Sequence, residues 1–314
     1  MGQVLFIDAH LAFMEEKEMM NFEEFKENVR ELLVKEFSED TKIEMKKIVK
    51  NNNVSYMGLI VKTVDNNIAP VIYLEAFYED YEHGKALDSI VKEISEVYQA
   101  NKVDRKQDMQ WFREWNCVKK GIGLKLINYE NNRQLLEDVP HRQFLDLAIV
   151  YEYVIKEENK PVGTILIHNH HMEFWRIAED ILYTCACENY QTLMPVTIRS
   201  MLEVLGDMAG LLGLEELSHD ETEMYVISNE MLVHGAGNML FLKQYEDKAE
   251  ILKRDLYIFP SSLHEIIVLP AEKGEASELA WIVKDVNRTQ VDKEEQLSDN
   301  VYYYNHVDGT VRIA

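Results

Sequence analysis

The chain has 314 residues, 46% of them apolar and 10% aromatic, with 56 acidic against 33 basic residues and a net charge of −23. A chain of this length buries roughly three quarters of its unfolded surface, and this composition is that of a globular protein rather than a disordered one. The charge repels a phosphate backbone, so no nucleic-acid partner is expected, and the basic-leaning stretch KIEMKKIVK is too short to reverse that.

The opening MGQVLFIDAHLAFMEEKEMM lacks the basic start of a signal peptide, and residues 1–19 read as an N-terminal extension. An amphipathic helix is expected over 21–37. Phe22, Phe25, Val29, Leu32 and Leu33 recur at helical spacing, and Asn21 caps the start with Glu24 three residues on. A hairpin follows, with Ile43, Met45 and Val49 in one arm, Asn51-Asn52-Asn53 as its turn and 54–63 as the other arm. Pro70 opens a strand VIYLEAFY, and Leu87, Ile90, Val91, Ile94, Val97 and Tyr98 form a helical stripe. Residues 101–120, with Trp111, Phe112 and Trp115 among charges, read as a packing helix that closes a first domain over 20–117.

A second domain is expected over 118–314. Three strand-like runs, LKLIN, ILIHN and YVISN, each end in an asparagine that caps the next helix or makes a turn. Between them FLDLAIVYEYVI reads as one long buried strand, and LMPVTIRSMLEVLGDMAGLLG as helices around Pro195. The stretch from Asp255 to Asn305 packs strand, turn, strand, helix and strand into about fifty residues. Leu256–Phe259 and Ile266–Leu269 should be adjacent strands, covered by Leu279, Ile282, Val283 and Val286. The fold class is therefore α+β: a small helix–hairpin–strand–helix domain, then a mixed sheet with packed helices.

No apolar run approaches the length of a membrane span, so no membrane partner is expected. Cys117, Cys185 and Cys187 are an odd, sparse set, which points to a reducing cytoplasm rather than a disulfide framework. Cys185 and Cys187 stand two apart on a helix and face different ways, a poor pair for one metal.

Ser261, Ser262, His264 and Glu265 are the one cluster of nucleophile and base types. On an extended chain Ser262 and His264 share a face while Glu265 points away. A serine nucleophile needs a base that a third group orients, and no G-x-S-x-G elbow accompanies this one. The structural reading is a Pro-Ser-Ser turn in which Ser262 satisfies loop backbone groups, with a ligand contact as the functional reading. His168 and His170 share a strand face and are candidate zinc ligands, with His141 and His234 as remote partners; a polar strand-end turn is the competing reading. Gly235 and Gly237 follow a strand without completing a dinucleotide fingerprint, so no cofactor is expected.

With these strings in view, the chain resembles an uncharacterised family of Firmicutes proteins of the domain-of-unknown-function type. The resemblance runs from about Phe22 to Asn305. It rests on NNNVSYMGLIV, IAPVIYLEAFYEDYEHG, INYENNRQLLEDVPHRQFLDLAIVY, GTILIHNHHMEFW, DLYIFPSSLHEIIVLP and VNRTQVDKEEQLSDNVYYYN. At HGAGNMLF the chain departs from the family's more apolar run. The resemblance implies an intracellular bacterial protein and transfers no activity. The leading functional reading is a non-enzymatic cytoplasmic interaction or regulatory protein with an acidic surface and a protein partner. The alternative is a hydrolase-like enzyme using Ser262 and His264.

Overall fold

The computed structural model describes residues 19–37, 41–63, 69–102, 110–157, 160–212 and 223–314. The fold is α+β, as the sequence implies, and the chain divides into two compact units. Of the described residues, the first unit takes those up to 48 and from 56 to 102; the second takes those from 49 to 55 and from 110 to 314.

In the first unit, helix α1 (Phe22–Glu36) begins with a reciprocal cap. Asn21 Oδ1 accepts the Glu24 N–H at 3.0 Å, and Glu24 Oε2 accepts the Asn21 N–H at 3.1 Å. Strands β1 (Thr41–Val49), β2 (Ser55–Thr63) and β3 (Val71–Tyr73) form a sheet in that order. The Asn51–Asn53 turn joins β1 to β2 with Asn52 and Asn53 at φ of 56° and 57°, a region that asparagine tolerates better than most residues. The expected strand VIYLEAFY stops at Tyr73, because its second half begins helix α2 (Glu75–Glu82). Leu74, Phe77, Tyr78 and Tyr81 recur at helical spacing and pack on the core, so one apolar face outweighs the β-propensity of the start. Helix α3 (Leu87–Asn101) buries Ile90, Val91, Ile94 and Tyr98 against Phe25, Val29 and Leu33 of α1 and Leu59 of β2.

The second unit opens with a 3-10 turn (Gln110–Arg113) and the short helix α4 (Trp115–Val118). The packing helix expected over 101–120 is thus broken here, and its 103–109 part lies outside the described residues. Strand β4 (Ile122–Asn128), helix α5 (Arg133–Leu136), and strands β5 (His141–Phe144), β6 (Leu147–Glu157) and β7 (Lys160–Leu166) follow. β4 runs antiparallel along one edge of β6, and β5 and β7 pair with its other edge. FLDLAIVYEYVI is therefore not one strand. Phe144 pairs with Leu147 across Leu145-Asp146, with Leu145 at φ 57°. Strand twist demands positive φ in such a two-residue turn, and Leu-Asp carries no sequence signal for it.

Helices α6 (Asn169–Trp175) and α7 (Glu179–Leu193) come next, then β8 (Val196–Ser200), α8 (Met201–Leu212) and β9 (Tyr225–Asn229). The helical reading around Pro195 needs the same correction: the proline ends α7, and a strand separates α7 from α8. A 3-10 helix (Gly235–Tyr245) leads to β10 (Leu256–Phe259), β11 (Ile266–Pro270), α9 (Ala276–Gln290), β12 (Tyr302–Tyr304) and β13 (Val311–Ile313). These strands make a six-stranded sheet in the order β13-β12-β10-β11-β9-β8. β10 and β11 are antiparallel neighbours as expected, with Tyr257 opposite Leu269. Val283 is 2% exposed and packs there with Leu279, but Ile282 is 50% exposed, contrary to expectation. α9 presents its 279, 280, 283 and 287 face to the interior, and position 282 lies off that stripe. Among the described residues, no helix is long and apolar enough to cross a membrane.

Candidate functional site

The loop between β10 and β11 carries Ser261, Ser262, His264 and Glu265. It is not extended strand, so the expected shared face of Ser262 and His264 does not form. Backbone pairing clamps it to the segment before β12: Leu263 N–H donates to Glu295 O at 2.9 Å, and Leu297 N–H donates to Ser261 O at 3.0 Å. Ser262 is buried, and its Oγ accepts the His264 N–H at 3.0 Å, a local turn bond. Both ring nitrogens of His264 have other neighbours. Nδ1 accepts the His234 N–H at 3.4 Å, and Nε2 lies 3.3 Å from Glu295 Oε1. Burial pushes the Glu265 carboxyl up, while His264 and the Ser262 hydroxyl act against that.

His264 thereby joins a charged line that the sequence reading missed. Its ring stacks on that of His234, with centroids 5.9 Å apart and planes 11° apart. His234 Nδ1 lies 3.0 Å from Oε1 of Glu152, which is fully buried on β6. Lys125 Nζ on β4 lies 3.8 Å from Glu152 Oε2. Burial would raise the Glu152 pKa, yet His234 and Lys125 together hold it below the ordinary carboxylate value. His234 itself sits at φ 53°. Asn229 builds the turn before it, accepting N–H groups from Met231 and Val233. Gly235 follows because a Cβ there would collide with His264 O and Ser228 Oγ. One signal was present: a glutamate in the apolar run AIVYEYV must find a partner when buried. Register accounts for one of its two partners. Gly123 faces Glu152, so Lys125 is its diagonal neighbour.

His168 and His170 come together with Asp138, not with His141 or His234. His168 Nδ1 lies 2.7 Å from Asp138 Oδ2, and one ligand-type atom each of Asp138, His168 and His170 lies within 4.8 Å of the others. His141 instead turns its Nδ1 to Val139 O at 3.0 Å. The Asn169 N–H donates to Asp138 O at 2.8 Å, which ties the two segments together. Burial, then the charges of His170 and His168, lower the neighbouring His171 to about 4.

A third region is a polar cleft at the end of α9. The Asn52 N–H donates to Asn132 Oδ1 at 2.9 Å, and Asn132 Nδ2 donates back to Asn52 Oδ1 at 3.0 Å. Asn52 Nδ2 also donates to Lys293 O at 2.8 Å and Gln296 O at 2.6 Å. Asp146 accepts from Ser298 Oγ at 2.6 Å, from Asn300 Nδ2 at 2.9 Å and from the Tyr302 hydroxyl. The loop 291–300 is thus fixed by side-chain bonds in addition to its backbone pairing with the Ser261–Leu263 loop. It borders two cavities, of about 760 Å³ and about 230 Å³, both lined by Asn287, Gln296 and Asp299. Lys284, Arg288 and Lys293 line the larger one.

No curated protein and no solved structure matches the chain. Residues 22–306 match the model of a family of unknown function (DUF5688), and the chain belongs to that family.

Proposed function

We propose that the chain is a non-enzymatic interaction protein whose protein partner lays a polar segment in the cleft at the end of α9. The observation that carries this reading is Asn287. It is 2% exposed, and its amide donates to Ser298 O at 2.9 Å and Asp299 Oδ1 at 2.7 Å. Its carboxamide oxygen has no hydrogen-bond partner among the described residues, yet the residue lines both cavities. A buried acceptor left unmade costs about 1–3 kcal/mol, and a donor from a bound segment removes that cost. Lys284 and Arg288, one turn apart on α9, and Lys293 offer cations to partner carboxylates. They share the lining with Asp292 and Asp299, and Arg288 also pairs with Asp285 at 2.8 Å, so the cleft carries cations and carboxylates together on a chain of net charge −23, whose acidity disfavours nucleic acid. The free thiols Cys117, Cys185 and Cys187 support a cytoplasmic setting.

Ser262 supports the same reading. Its oxygen accepts a bond from its own loop, and both His264 ring nitrogens face other groups. The test uses wild-type protein and the Lys284→Glu/Arg288→Glu variant as baits in native lysate, followed by titration of the purified captured partner. The expected result is binding at least about tenfold weaker for the variant, or roughly 1.4 kcal/mol, with unchanged melting. Equal binding by both would overturn the cleft. Fluorophosphonate labelling of Ser262 that disappears in His264→Ala would overturn the non-enzymatic reading in favour of a hydrolase.

A further inference from the structure

We propose that Asp138, His168 and His170 bind one divalent transition-metal ion, with zinc the best match. Two imidazoles and a carboxylate are the ligand types that zinc takes in three-ligand sites, which leave a fourth position to water or another molecule. The three come from two segments: Asp138 precedes β5, and the histidines follow β7. They meet because backbone and side-chain bonds hold those segments together without any ion. The Asn169 N–H donates to Asp138 O at 2.8 Å, and Asn169 Nδ2 donates to Glu137 O at 3.2 Å. The His168 N–H donates to His171 Nδ1 at 2.9 Å. That bond occupies the lone pair of His171 Nδ1, so His171 braces the site instead of ligating through that atom. Its ring is held between Phe112, at 5.3 Å edge-on, and Trp175, at 5.8 Å. The floor of the site is therefore rigid.

The distances fit a site one side-chain rotation from closure. Asp138 Oδ2 and His168 Nδ1 are already 2.7 Å apart, and one ligand-type atom of each of the three residues lies within 4.8 Å of the other two. Zinc–ligand bonds of about 2.0–2.1 Å in a tetrahedron put ligand atoms roughly 3.4 Å from one another. Asp138 and His168 must part slightly as the ion replaces the shared proton, and His170 must swing in by about an ångström, which a small χ rotation within its staggered well supplies. His170 is exposed in the first turn of α6, with the His171 ring 4.0 Å, the His168 ring 5.6 Å and the Phe174 edge 5.8 Å from its own. The exposed side leaves the fourth position open. Binding here is independent of the cleft at α9, and either can fail without the other.

Tag-free protein, stripped with chelator and dialysed, would be titrated calorimetrically with zinc alone, with cobalt absorption reporting geometry. The expected result is one zinc per chain at about micromolar affinity. His170→Ala and Asp138→Asn should each weaken it at least about tenfold while melting of the zinc-free protein is unchanged. Cobalt should give the intense visible bands of a four-coordinate site in wild type, and these should be lost in His170→Ala. Failure to bind zinc below about 100 µM would overturn the proposal. So would equal affinity in a His168→Ala/His170→Ala variant, which would place the ion elsewhere on the chain.

Discussion

Glu152→Gln tests the buried charged line most directly. The carboxylate is fully buried, 3.0 Å from His234 Nδ1 and 3.8 Å from Lys125 Nζ. Removing one partner of a buried ion pair typically costs about 3–5 kcal/mol. Two features reduce that here. An imidazole can stay neutral, and Lys125 keeps a side chain 18% exposed, so part of its charge remains hydrated. The expected loss is about 2–3 kcal/mol, or roughly 5–10 °C in the melting temperature of a unit of this size. Urea unfolding followed by circular dichroism across a pH series measures it. The sign follows from the direction of the shift. Glu152 is held below its ordinary value, so its contribution is present above the unfolded carboxyl pKa of about 4.3 and is lost as pH falls through the folded value. The gap between wild type and variant should therefore be full at neutral pH and close in acid. A variant within about 0.5 kcal/mol of wild type at neutral pH, or a gap that widens on acidification, would refute the reasoning.

Three further outcomes are expected. Val283→Asp should lower stability by at least about 3 kcal/mol, whereas Ile282→Asp next to it should change it by less than about 0.5 kcal/mol; equal effects in thermal melts would contradict the assigned face of α9. Ser262→Ala removes the bond to the His264 N–H and should cost about 0.5–1.5 kcal/mol in urea melts, and an unchanged midpoint would show that the turn does not depend on it. Asp255 is pulled down to about 2 by hydrogen bonds from Tyr303 and His306. Its contribution, about 1 kcal/mol once its partial exposure is allowed for, should be present above about pH 4 and fade toward pH 2. Asp255→Asn should remove that pH dependence in acid titrations of stability, and an identical acid limb in the variant would count against it.

The sequence by itself determined what depends on neighbours along the chain. The cap of α1 at Asn21 and Glu24, the Asn51–Asn53 turn, the stripe of α3 and the β10–β11 pairing were all legible, because capping, turn chemistry and periodicity act within a few residues. The α+β class followed from their sum. Where two local signals competed, tertiary structure decided. Leu74, Phe77 and Tyr78 became one face of a helix because the core lay on that side, and Leu145 took a left-handed turn because β5 and β6 had to pair. The candidate sites were only half visible. Ser262, His264, His168 and His170 stood out by residue type. Glu152, His234, Asp138 and Asn287 did not, because their roles rest on contacts between residues far apart in sequence. Glu152 and His234 are 82 residues apart, and Asp138 and His168 are 30 apart. Strand register and loop packing bring such groups within hydrogen-bond reach, and no local pattern encodes them.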